Sequence, residues 1–254
     1  MTISSLFPMP HKHVKNLAAV IFWLLVWEGA SLLIANSIVL VSPRATFATL
    51  ARLALTAPFW QNISFSLMRI LLGFFLALFF GVVLAAFASW SKIFYTLILP
   101  AINVMKSVPV ASFTLIALMW IARANLSVFI AFVTVLPIVF FNTHKGIETT
   151  PPPLLEMANL FRVGRFKKIR HIYLQATLPY ILSAAGTGLG FAWKSGIAAE
   201  LIGGAVGSIG FSLHMARNFL LTADLFAWTI TIVLLSYVME KAFMLLLGRV
   251  AKWL

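Results

Sequence analysis

Between Leu155 and Pro179, five basic side chains, Arg162, Arg165, Lys167, Lys168 and Arg170, are interleaved with Leu155, Leu160, Phe161, Phe166 and Ile169. A polar segment that also carries large apolar side chains suits docking: the apolar residues fit a groove of a partner while the cations pair with its acids. The same cations could instead grip anionic lipid, a reading that leaves Phe161 and Phe166 unexplained. The other chemistry-bearing residues are isolated charges in apolar runs, notably Arg69, Lys106, Lys194, Glu200 and Lys241. Each costs at least ~2.5 kcal/mol to hold in hydrocarbon, which makes it a functional candidate. No catalytic set is legible. His11, His13, His144, His171 and His214 fall at termini, run ends or loops, and there is no His-Glu-x-x-His, no cysteine and no phosphate-binding Gly-x-x-x-x-Gly-Lys-Ser/Thr loop.

The elements that must position these residues are membrane spans. Of 254 residues 62% are hydrophobic and 10% charged, the composition of a polytopic membrane protein. The net charge of +13 does not point to nucleic acid, because most cations flank apolar runs. About 20 apolar residues cross a bilayer, and six such runs are found, at roughly 17–36, 62–90, 94–121, 125–144, 178–204 and 225–247. The first follows a polar start and lacks a small-residue cleavage site, so it is expected to be a retained anchor.

Placing both termini in the cytoplasm puts eleven cations inside (Lys12, Lys15, Lys92, Lys145, the five of the basic segment, Arg249 and Lys252) and only Arg44, Arg52, Arg123 and Arg217 outside. That bias selects this orientation. The third span carries Pro100, Pro109 and the polar pair Lys106-Ser107. It cannot be one straight lipid-facing helix, and its freed backbone groups need partners inside the protein or a water-lined cavity, so it is expected to line a pathway. The fifth span is rich in glycine, which fits a close-packed helix seam. Residues 37–61 read as an external loop with a short interfacial helix over 46–55.

The ordered motifs resemble the transmembrane subunit of a type I ABC importer, in the nitrate, sulfonate and taurine branch. Glu156-Met157-Ala158 stands where that superfamily's cytoplasmic EAA motif has Glu-Ala-Ala, and the segment closes with Leu178-Pro179. Trp27-Glu28, Ser66-Leu67-Met68-Arg69, Leu99-Pro100, Val108-Pro109, Asn142-Thr143 and Trp193-Lys194 with Ala198-Ala199-Glu200 are similar to further pieces of the branch. One departure bears on the loop: the family's glycine position is Arg162 here, with Gly164 two residues on. The turn between the loop's two short helices is therefore expected to be displaced to Gly164.

The resemblance implies an all-α, MetI-like bundle of about six spans that works as a dimer. It divides the chain into an anchor and external loop (1–59), a permease domain (60–247) containing a coupling loop (147–177), and a cytoplasmic tail (248–254). It implies no cofactor in this chain, a separate ATPase dimer carrying ATP and Mg, a second permease copy, an external solute-binding protein, and residence in a bacterial plasma membrane. Glu156, Ala158, Phe161, Arg162, Gly164, Arg165 and Phe166 would couple to the ATPase. Lys106, Pro109, Trp193, Lys194 and Glu200 would line the solute pathway, the two lysines attracting an anion such as a sulfonate, nitrate or carboxylate. Packing is the other reading of Trp193, and interhelical pairing or snorkelling that of Lys194 and Glu200. A stand-alone ion-coupled secondary transporter is the alternative class, given the broken span and buried charges.

Overall fold

Burial on the longest central helix repeats with the helical period. Along α3 (Ala57–Trp90) the buried residues are Phe59, Ile63, Ser66, Ile70, Gly73, Phe74, Ala77, Gly81, Ala85 and Ala88, a stripe stepping by three or four. The computed structural model describes the backbone of residues 11–253 and the side chains of 18–246. Lys12, Lys15, Arg249 and Lys252, four of the cations used to orient the chain, lie outside the described side chains.

The α3 stripe packs on α6 (Leu126–Glu148), which packs in turn on α9 (Leu174–Gly203), and these three helices form the core. Small residues set the separation. A β-carbon at Gly73 would fall on the carbonyl oxygen of Val128 in α6, and one at Gly188 in α9 would lie 2.9 Å from a methyl of Val135. Glycine at these contacts lets backbones approach to where dispersion and weak polar contacts are strongest.

Around the core lie α1 (His11–Ile34), α2 (Pro43–Ala54), α4 (Lys92–Ser107), α5 (Val110–Ala117), α7 (Pro152–Leu160), α8 (Arg165–Lys168), α10 (Ile209–Asn218) and α11 (Thr222–Trp253). Serine caps set several starts. Ser42, Ser91 and Ser208 accept hydrogen bonds from Ala45, Phe94 and Phe211 backbone N–H groups at the heads of α2, α4 and α10. The amphipathic α2 covers most of the stretch 46–55 expected to form a short helix, and is tied to α11 by the Arg52–Asp224 ion pair at 3.1 Å. With Arg52 largely exposed, that pair contributes under about 1 kcal/mol.

The six expected spans are not equivalent. Three helices, α3, the stretch Arg123–Glu148 and Thr222–Leu246 of α11, are each long and apolar enough to cross a membrane. The expected third span is a pair, α4 and α5, bent by 107°. Pro109 makes the break: it disfavours helical geometry at Val108, which is extended (φ −74°, ψ 129°), whereas Pro100 is accommodated inside α4. The apolar part of α1, Ala18–Ile34, is shorter. The 30 residues of α9 reach far enough, but glycines, Lys194 and Glu200 dilute their hydropathy, because this helix is gripped by protein on most sides.

The loop differs from expectation in two ways. Its turn is not displaced to Gly164, which is extended with φ −60°. Arg162 itself takes the left-handed conformation, φ +50°, and the Val163 N–H to Ala158 carbonyl (2.9 Å) and Arg162 N–H to Asn159 carbonyl (3.0 Å) bonds close a Schellman motif on α7. Once the backbone bonds of α7 are satisfied this way, the turn stays at its family position and the side chain bears the strain. Secondly, α8 passes through a π-helical turn, Ile169–Tyr173, directly into α9, so the loop's second half is a helical extension of the expected fifth span. Likewise α11 continues as helix to Trp253.

Two stability measurements check this account. Gly73→Ala is expected to lose about 1–3 kcal/mol, read as a lower melting midpoint of the purified protein, whereas Gly190→Ala, with open space around it, changes little. Arg162→Gly is expected to gain about 0.5–1 kcal/mol by relieving the left-handed strain net of glycine's unfolded-state freedom. A loss there, with a loss at Gly164→Ala as well, would place the turn at Gly164 instead.

Candidate functional sites: a basic apolar loop and a cavity at the broken span

The loop presents one mixed surface. Leu160, Phe161 and Phe166 are 82%, 77% and 74% exposed, with Ile169 beside them in sequence, and Glu156, Arg162, Arg165, Lys167 and Arg170 are exposed as well. Such large apolar side chains left in water mark an interaction surface. The wedge is braced from within: Ala158 is buried, and the Lys168 ammonium on α8 donates to Asn159 Oδ1 on α7. The loop sits at the end of the bundle where α3 and α6 finish, near Ser89, whose hydroxyl meets His144 Nδ1 at 2.7 Å. Arg52 and its partner Asp224 lie at the opposite end, with Thr222, whose hydroxyl donates to the Ile38 carbonyl.

The second site is a cavity of about 500 Å³ where α4 breaks into α5, walled by α6 and α9. Lys106, in the last turn of α4, enters it and holds its ammonium 5.3 Å from the centre of the Phe141 ring, within cation–π range. Asn142, Thr134, Thr187 and Phe191 also line it. Pro109 makes the break that opens the cavity and is not part of its wall.

The pathway residues expected on α9 divide between two faces. Lys194 is exposed and continues a stripe with Thr187 and Phe191, spaced by four and three residues, so one face of α9 runs from the cavity past a second cation. Trp193 and Glu200 belong to the buried face. The Trp193 indole N–H donates to the Ile232 carbonyl of α11 at 3.1 Å. Glu200 is wholly buried, and its Oε2 accepts from the Ser66 hydroxyl of α3 at 2.7 Å and the Gly210 N–H of α10 at 3.3 Å, while Ser66 Oγ accepts from the Ile209 N–H at 2.9 Å. A carboxylate at the head of α10 suits the positive end of that helix. Both residues hold α9 to its neighbours and do not line this cavity, contacts that suit the packing reading of Trp193 and the interhelical reading of Glu200. Arg69 donates to Asn125 Oδ1 at 2.7 Å and stacks on Phe65.

Sequence reasoning singled out Lys106 and Lys194 but not Phe141, Thr187 or Phe191. The available signal for the latter two was their spacing from Lys194 on an otherwise small-residue helix. Phe141 carried none, because its meeting with Lys106 depends on how α4 crosses α6.

Comparison with known proteins now bears on both sites. Residues 77–254 match the family described as binding-protein-dependent transport system inner membrane component. A protein of Bacillus subtilis named as an aliphatic sulfonates transport permease, SsuC, is 28% identical over 90% of this chain and 83% of its own length. The taurine transport system permease protein TauC of Escherichia coli is 24% identical over 89% and 84%, respectively. The nitrate import permease protein NrtB of Leptolyngbya laminosa is 29% identical over 63% and 57%. Among solved structures, an amino acid ABC transporter chain superposes with a TM-score of 0.58 at 21% identity, covering 76% of this chain and 94% of that one. The MetNI methionine ABC transporter gives 0.56 at 17%, covering 75% and 93%, so the bundle has the MetI-like fold. The chain belongs to the family of binding-protein-dependent transport system inner membrane components and is a permease subunit of an ABC importer, in the branch of the sulfonate, taurine and nitrate permeases.

Proposed function

We propose that this permease works as a homodimer in a bacterial plasma membrane, with both termini cytoplasmic, and carries a small organic or inorganic anion handed to it by an external solute-binding protein. The observation that carries the reading is that Lys106 and Lys194 both stand on open surface, one in the cavity at the broken span and one on the α9 stripe leading from it. A membrane helix bundle exposes cations in its middle where water and an anionic solute meet them, not where lipid does. The solutes in the relatives' names, sulfonates, taurine and nitrate, all carry an anionic group and fit that charge.

ATP and Mg would bind a separate ATPase dimer. The Leu160, Phe161 and Phe166 surface would seat in a groove of that partner, with the surrounding arginines and lysines pairing with its acids, Ala158 packing the wedge and Arg162 and Gly164 shaping its turn. Because α8 continues through the π-turn into α9, displacement of the loop by the closing ATPase would be transmitted along a single helix to the face bearing Thr187, Phe191 and Lys194. The orientation rests on the cation bias and on the grouping of Lys92, Lys145 and the basic loop at one end of the bundle.

Affinity purification of the permease from its native membrane is expected to recover an ATPase, with the Phe161→Ala/Phe166→Ala double variant retaining less than a tenth of it. Recovery of an intact, transporting permease without any ATPase would instead favour an ion-coupled carrier. In uptake assays on the complete transporter, Lys106→Gln and Lys194→Gln are each expected to reduce anion transport about tenfold, equivalent to ~1.4 kcal/mol. Lys241→Gln, whose ammonium packs on Tyr237 away from the cavity, serves as the control and should transport normally.

A further inference from the structure

The composition of the cavity wall bears on which anions it could hold. This step rests on the pathway reading above and narrows its solute class. Of the side chains lining the cavity, only Lys106 is charged, and three are neutral and polar: Thr134, Asn142 and Thr187. Two of these have already committed a donor. The Thr134 hydroxyl donates to the Ile130 carbonyl at 2.7 Å and the Asn142 amide to the Ile138 carbonyl at 2.8 Å, both within α6. What remains for a solute is one ammonium, the Thr187 hydroxyl and the second Asn142 N–H, enough for a single anionic group. The rest of the wall is apolar, with Phe113 on α5, Phe141 on α6 and Phe191 on α9 contributing aromatic rings from three different helices.

A small inorganic oxyanion entering here would surrender its hydration to a largely apolar wall and leave most of the roughly 500 Å³ unfilled. A zwitterion would bring an ammonium group into a cavity whose lining contains no Asp or Glu to balance it, and next to the Lys106 cation. An anion with a flat apolar body meets neither obstacle: its charged end reaches Lys106, Thr187 and Asn142, and its body replaces water against the three phenylalanines. We infer that the cavity at the α4–α5 break is a binding site for an organic anion with one negative group on a flat apolar body, an aryl sulfonate or aryl carboxylate. Lys106 holds the anionic group and Phe191 selects the body.

Equilibrium binding of radiolabelled benzenesulfonate to the full-length permease in lipid nanodiscs tests this, with benzoate, nitrate and taurine as competitors. Saturable binding is expected, displaced by benzoate but needing at least tenfold more nitrate or taurine. Lys106→Gln and Phe191→Ala should each weaken it about tenfold, and Phe191→Tyr should keep it, which separates loss of the ring from loss of the fold. Absence of saturable binding, displacement by nitrate or taurine as readily as by benzoate, or wild-type affinity in both weakened variants would overturn the inference. Uptake of labelled nitrate and benzenesulfonate by the complete transporter separates the two levels. If Lys106→Gln abolishes nitrate uptake while benzenesulfonate neither binds nor enters, the pathway stands and the aryl-anion site falls. If Lys106→Gln alters no uptake and no binding, the pathway reading falls with it.

Discussion

The close approach of α3 and α9 to α6 is the constraint from which the rest of the molecule follows. With Gly73 against the Val128 carbonyl and Gly188 against Val135, the three helices touch backbone to side chain with nothing between them. In a bilayer there is little hydrophobic gain from helix association, so stability must come from such contacts and from buried polar groups finding partners. Glu200 is the clearest instance: its carboxylate, with Ser66, gathers the head of α10 onto α3 and α9. Gly210 is required there because a β-carbon would collide with Glu200 itself.

That grip determines which part of α9 remains open. Trp193 and Glu200 are consumed by contacts with α11, α3 and α10, and the unoccupied arc is the one bearing Thr187, Phe191 and Lys194. The broken span completes the surface. The chain bends by 107° between α4 and α5, α5 packs on α9 and α6, and Lys106 in the last turn of α4 stands in the cavity left at the bend. The break and the glycine seam are therefore two parts of one arrangement, with rigid packing on one side of α9 and solvent-accessible chemistry on the other.

The basic loop is joined to this arrangement covalently. Its first helix ends in a Schellman turn held at Arg162 despite the left-handed backbone, and its second runs without a break in helix into α9. A wider π-turn at the junction, Ile169–Tyr173, and Pro179 inside α9 make the hydrogen bonding irregular at this end of the rod. Force applied at the exposed phenylalanines would thus arrive at the same helix that carries the open cationic stripe, a direct mechanical link between the surface that would meet an ATPase and the cavity that would meet solute.

Much of this was legible in the residues alone. Hydropathy and cation bias need only local composition, so the membrane class, the approximate runs, a short amphipathic helix over 46–55 and the basic loop could be read without a structure. The irregular third span could too, because proline's missing N–H acts on its own neighbours. The motif order was specific enough to indicate the family. What tertiary structure decided were properties set by residues distant in the chain: that Pro109 and not Pro100 breaks the span, that the loop turns at Arg162, that α8 continues into α9, and that Lys194 faces out while Trp193 and Glu200 face in. Helical periodicity places Trp193 and Lys194 on adjacent faces but cannot say which is covered. That depends on Ser66 and Ile232, which lie 134 and 39 residues away from Glu200 and Trp193 respectively and meet them only once the bundle has closed.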